Sequence, residues 1–113
     1  MWSLYTTEKK VTDPQEVEWG LFIQYVEAYL NNVDSIMVQK SQPGIRFIKE
    51  GEEFDVEYAS NVIRKQKNRL GNESLLLNVQ ALKVSMEGQN ITFFVTFFNG
   101  QQKEHTMYVT YSK

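Results

Sequence analysis

The chain has 113 residues, 42% hydrophobic and 13% aromatic, with 12 basic and 14 acidic side chains, a formal charge of −2 and no cysteine. That length holds one hydrophobic core without covalent staples, and the composition is that of a folded chain rather than a disordered one. The missing thiol excludes a disulfide framework, a thiolate metal site and a cysteine nucleophile, and the slight negative charge excludes a global attraction to nucleic acid.

No apolar run has the length of a membrane span, and the start, "MWSLYTTEKK", lacks the basic and apolar regions of a signal peptide. Residues 1–12 read as a tether or short edge segment, and 13–113 as a single α+β domain. The start fits a whole small protein or a soluble part that follows a removed anchor. Only the second case brings in a membrane, with the extracytoplasmic face of a bacterial membrane as the compartment; otherwise the chain is cytoplasmic.

"DPQEVEWGLFIQYVEAYLNN" predicts one helix over residues 13–32. Asp13 is a good N-cap, Pro14 suits the first helical position, and Glu16 completes a capping box. Val17, Leu21, Tyr25 and Tyr29, with Phe22, Val26 and Leu30, recur at helical spacing, and Trp19, Ile23 and Ala28 widen the apolar face. Asn31 and Asn32 end the helix. Gly20 lies inside it and would let another element approach closely. Ile36 and Val38 alternate with polar neighbours as a short strand or a second short helix, and Pro43-Gly44 turns the chain into the strand "IRFIKEG". Phe54, Val56 and Tyr58 alternate too, but the phase slips past Ala59, which predicts one long bent strand with a bulge running into "RKQKNR".

The most legible part follows. "LLLNVQALKVSM", "NITFFVTFF" and "HTMYVTYS" alternate as strands, joined by the loop "EGQN" and by Asn99-Gly100, a pair that tolerates the positive φ of a tight hairpin. Phe22, Val26, Tyr29, Leu77, Val79, Phe93 and Val95 are the expected core.

No catalytic signature emerges. His105 is the only histidine, and its neighbour Glu104 points to the opposite strand face, so a general base or a histidine metal site lacks its partners. Asp55 and Glu57 share a strand face and could do acid–base work in a cavity, but they read more simply as a solvated outer face. Arg64, Lys65, Lys67 and Arg69 could meet a phosphate or an anionic lipid, though without interleaved aromatics they read as a solvated strand end. Phe94, Phe98 and Tyr108 could line up on the face that the helix leaves free. These three aromatics and the Arg64–Arg69 cluster are the candidate contacts for a protein partner or for self-association.

The helix and the long meander resemble the nuclear-transport-factor-2-like (cystatin-like) cone. That resemblance implies a long N-terminal helix packed on a bent antiparallel sheet of about four strands. Within the superfold, the chain departs from the enzymes, which carry an aspartate–histidine or tyrosine–aspartate set inside the cone. It is more similar to the extracytoplasmic assembly domains of type IV secretion and conjugative-transfer systems. The expectation is therefore a non-catalytic scaffold without cofactor or metal. The alternative is a small-molecule-binding domain or small enzyme that uses the cone interior through Asp55, Tyr58 or His105. Contact with nucleic acid through the basic cluster is a third possibility.

Overall fold

The computed structural model describes residues 14–112. The expected tether at 1–12 and the Asp13 cap lie outside the described residues. The architecture corrects the expected one. In place of one long helix on a sheet of about four strands, the described residues form one 16-residue helix and eight strands in two antiparallel sheets. A cone built from a single bent sheet is therefore overturned.

Helix α1 spans Pro14–Tyr29. Proline at its first position costs no hydrogen bond, and Glu16 sits in the first turn, where the positive end of the helix dipole favours it. The exit is shaped by Asn32 in the left-handed region (φ 66°), three residues past the last helical one. The last turn holds no basic residue of its own. Instead Lys49, from a neighbouring strand, donates to the carbonyl of Tyr29 at the helix end and to that of Asn31 just beyond it. Phe22, Ile23, Val26 and Leu30 are buried, whereas Val17 and Leu21 are exposed, so the apolar stripe is narrower than the sequence suggests. Gly20 is exposed, and no described atom comes within 4 Å of where its Cβ would sit, so it serves no close approach among the described residues.

The first sheet is a five-stranded meander of β1 (Ser35–Val38), β2 (Gly44–Lys49), β3 (Glu52–Ala59), β4 (Val62–Lys67) and β5 (Leu70–Leu76), each paired with the next. The expected bent strand from Phe54 into the basic run is thus a hairpin and part of a second one. Glu50-Gly51, Ser60-Asn61 and Asn68-Arg69 all have positive φ and form the two-residue turns that suit right-handed strand twist. Gly44 opposes Glu57, and a Cβ there would lie 2.4 Å from the Val56 carbonyl oxygen. The two strands approach that closely only because position 44 has no side chain.

The second sheet is β6 (Val79–Glu87), β7 (Asn90–Phe97) and β8 (Gln102–Tyr108), with β7 in the centre. A register shift interrupts β6 between Val79 and Ala81. The sheets join where the Val79 amide donates to the Asn61 carbonyl (3.0 Å) and the Tyr58 hydroxyl to the Gln80 carbonyl (2.9 Å). Beyond β8 the chain returns to the helix exit. Val33 and Tyr111 form a parallel bridge, and Thr110 donates its amide to the Leu30 carbonyl.

One cluster of buried side chains spans the helix and both sheets. Phe22 meets Phe93 edge-on at 5.8 Å, Trp19 meets Phe97 at 6.5 Å, and Tyr29 rests on Phe47 and Phe54. Aromatic rings therefore fill the space between α1 and the sheets. The expected core residues Phe22, Val26, Val79, Phe93 and Val95 are buried and Tyr29 is half-buried, but Leu77 is exposed, since it sits in the link between the sheets.

Candidate interaction surface

The two faces of the β6–β7–β8 sheet differ sharply. On the inner face, Ile91, Phe93, Val95 and Phe97 of β7 are buried. On the outer face, the alternate residues of the three strands form rows fixed by the register. Lys83, Phe94 and Glu104 make one row, Ser85, Thr92 and Thr106 the next, and Ala81, Thr96 and Gln102 the one on the other side. Among the described residues, no side chain of another element bonds to this face; its one hydrogen bond between strands joins the Thr92 and Thr106 hydroxyls at 2.8 Å. A groove of about 470 Å³ lies here, lined by Lys83, Val84, Ser85, Thr92, Phe94 and Glu104. Phe94 is half-buried at its centre, with a cation on one side and an anion on the other.

The other two candidate aromatics do not extend this into one ring cluster. Tyr108 opposes Asn90, four residues along β7 from Phe94, and Phe98 follows the strand's last residue at the other end. At about 3.3 Å per residue, each lies some ~13 Å from Phe94 along the strand. Both are exposed, at 63% and 55%, and the Tyr108 hydroxyl donates to Gln89.

The basic cluster is divided by strand alternation. Arg64 points to the outer face of the first sheet and pairs with Glu57 at 2.7 Å, while Lys65 points to the other face and lies under the helix. Lys67 pairs with Glu52 and Arg69 with Glu53. Each of the four cations thus has a carboxylate beside it, Glu73 in the case of Lys65.

The Lys65 ammonium donates to the Tyr25 and Tyr29 hydroxyls at 2.8 and 2.9 Å and sits within 6 Å of the Tyr25, Tyr29 and Phe54 ring centres. Burial alone would lower its pKa, but the bonds to Tyr25, Tyr29 and Glu73 outweigh that and hold it above the ordinary lysine value. Burial raises Tyr25, and the Lys65 bond lowers Tyr29. This network fastens α1 to β4 and β5 and is already fully partnered.

Asp55 and Glu57 do share a face of β3, as expected, but they are 2% and 4% exposed rather than solvated. Each faces an arginine directly across the ladder. Arg46 opposes Asp55 and donates to it at 2.7 Å, and Arg64 opposes Glu57. Buried acids neutralised in this way hold strand register. His105 lies on the inner face of β8, opposite Phe93, with its Nε2 3.0 Å from a Glu27 carboxylate oxygen of the helix. Tyr58 bonds Asn61 and Gln80. Asp55, Tyr58 and His105 thus have separate partners and do not converge on one cavity. Sequence reasoning did not single out Lys83 and weighed Glu104 only as a partner for His105. Their place beside Phe94 comes from the pairing of three strands rather than from any one stretch of sequence.

These features define a β-rich protein in which, among the described residues, the outer face of the β6–β7–β8 sheet carries no bond from another element. The chain belongs to the competence protein ComGF family, whose model matches residues 4–103. The match is to a competence family and corrects the expected likeness to the nuclear-transport-factor-2-like cone and to conjugative-transfer or type IV secretion domains. No curated protein and no solved structure matches the chain.

Proposed function

We propose that the chain is a non-catalytic assembly subunit of the bacterial competence apparatus, docking other proteins of a pilus-type complex through the outer face of the β6–β7–β8 sheet. The observation that carries this reading is the open row Lys83–Phe94–Glu104 in a member of a competence family. Aromatic rings are enriched at protein interfaces, and exposed rings on a sheet that already has a buried face serve no core. The separate partners of Asp55, Tyr58 and His105 support an assembly role over a small-molecule or enzymatic one, and the carboxylate beside each cation of the Arg64–Arg69 cluster supports protein over nucleic acid as the partner.

The test is natural transformation in a competent host whose own copy of the gene is replaced by Phe94→Asp, Phe98→Asp or Tyr108→Asp. With protein level and circular dichroism unchanged, Phe94→Asp is expected to cut transformation at least about tenfold, the effect of losing roughly 1.4 kcal/mol at a central contact. Wild-type transformation by all three variants refutes the proposal.

A further inference from the structure

We infer that the outer face of the β6–β7–β8 sheet pairs with the same face of a second copy of this chain, about a two-fold axis parallel to β7. This rests on reading that face as an interface and names its occupant. The ground is charge complementarity. Lys83 and Glu104 stand on the two strands flanking β7, in register with Phe94. Strands lie about 4.8 Å apart, so the cation and anion are displaced about equally from the central ring in opposite directions. A two-fold axis through Phe94 and along β7 exchanges the two flanks. It sets Lys83 of one copy on Glu104 of the other, twice, with the Phe94 rings meeting near the axis. An in-plane axis at right angles would set lysine on lysine and glutamate on glutamate, so charge selects one arrangement.

The rows on either side fit the same operation. Ser85 meets Thr106 of the second copy, Thr92 and Thr96 meet their own equivalents, and Ala81 meets Gln102. Apart from that glutamine these side chains are small or β-branched, so around the axis the Phe94 rings can reach offset contact, while in the outermost row Glu87 meets the exposed Tyr108 of the second copy. The face is small. Three strands of about seven residues cover about 350 Å² per copy, about 700 Å² in all, below the roughly 1,200 Å² of a stable complex. The pairing is therefore weak, with a Kd of about 10⁻⁴ M, and matters where copies are held close together.

Sedimentation equilibrium of the protein from about 10 μM to about 1 mM tests this directly. Dimer is expected at the upper end, weakening as salt rises. Lys83→Glu turns two attractive contacts into repulsive ones and is expected to raise Kd about tenfold, as is Glu104→Lys. The double variant Lys83→Glu/Glu104→Lys keeps every contact complementary about the same axis and is expected to return Kd to within about threefold of wild type. Lys83 and Glu104 are both exposed, so circular dichroism and thermal midpoint should hold steady. A monomer at 1 mM, or a double variant no better than the singles, overturns the inference. If Phe94→Asp still abolishes transformation while the wild type stays monomeric, the face binds a different protein. Self-pairing then falls and the assembly role stands.

Discussion

Replacing Lys65 by methionine tests how the helix is held to the first sheet. The Lys65 side chain is 14% exposed, with two tyrosine hydroxyls below 3 Å and Glu73 at 3.2 Å. Hydrogen bonds to a charged group contribute about 1.5–3 kcal/mol, and an ammonium over a ring adds about 1 kcal/mol. Against that, methionine keeps the apolar stem and removes the cost of desolvating the charge. The net loss is about 2 kcal/mol. At about 2.1 cal/mol/K per residue for unfolding, a chain of this size then melts about 8 °C lower. Urea titration and thermal unfolding at pH 7 read both quantities.

The pH profile carries the sign. Lys65 is held above its ordinary value of 10.5, so its contribution is complete below that pH and is lost as pH rises through the folded-state value. Tyr29, lowered chiefly by the Lys65 bond, adds stability once it ionises. The gap between wild type and Lys65→Met should therefore persist to about pH 10 and narrow only beyond 10.5. A variant within about 0.5 kcal/mol of wild type at pH 7, or a gap already closed by pH 9, refutes the account.

Two further substitutions probe the first sheet. Gly44→Ala places a methyl 2.4 Å from the Val56 carbonyl oxygen and is expected to cost about 2–4 kcal/mol in urea titration, whereas a neutral result would mean that β2 and β3 separate freely. Arg64→Met takes the ion-pair partner from Glu57, which is 4% exposed and keeps a hydrogen bond from Gln39, and should cost about 3 kcal/mol. Adding Glu57→Gln should recover at least about half of that, and a silent single variant would show that the pair does not hold register.

How far the sequence could be read follows from which signals were local. The helix was legible because Pro14, Glu16 and the 3.6-residue spacing all agree. Its end was placed three residues late, because Asn31 and Asn32 belong to the exit rather than to the last turn. The β6–β8 meander was legible because each strand has one buried face, so apolar and polar residues alternate, and because Asn99-Gly100 marks its turn. The first sheet was legible only in part: strands through Ile36, Ile45 and Phe54 were expected and are present, but the hairpins after β3 were missed, for two physical reasons. Its turns use Glu50, Ser60, Asn61, Asn68 and Arg69 at positive φ, conformations usually taken by glycine, so the hairpin at Ser60-Asn61 read as a bulge. Its central strand β3 is buried on both faces, so Asp55 and Glu57 carry the outward phase yet are covered by arginines from β2 and β4. The basic run misled for a related reason, since neighbours in a strand point to opposite sides and Lys65 faces the core. What marks Phe94 out from its neighbours is a register spanning three strands, which no single stretch of sequence displays.

The parallel bridge between Val33 and Tyr111, with the amide of Thr110 on the carbonyl of Leu30, joins segments almost eighty positions apart. A contact of such long loop length forms late and slowly. During synthesis the helix exit must wait for the far end of the chain to emerge. Until then the backbone groups of Leu30 and Val33 lack the partners that close the helix exit.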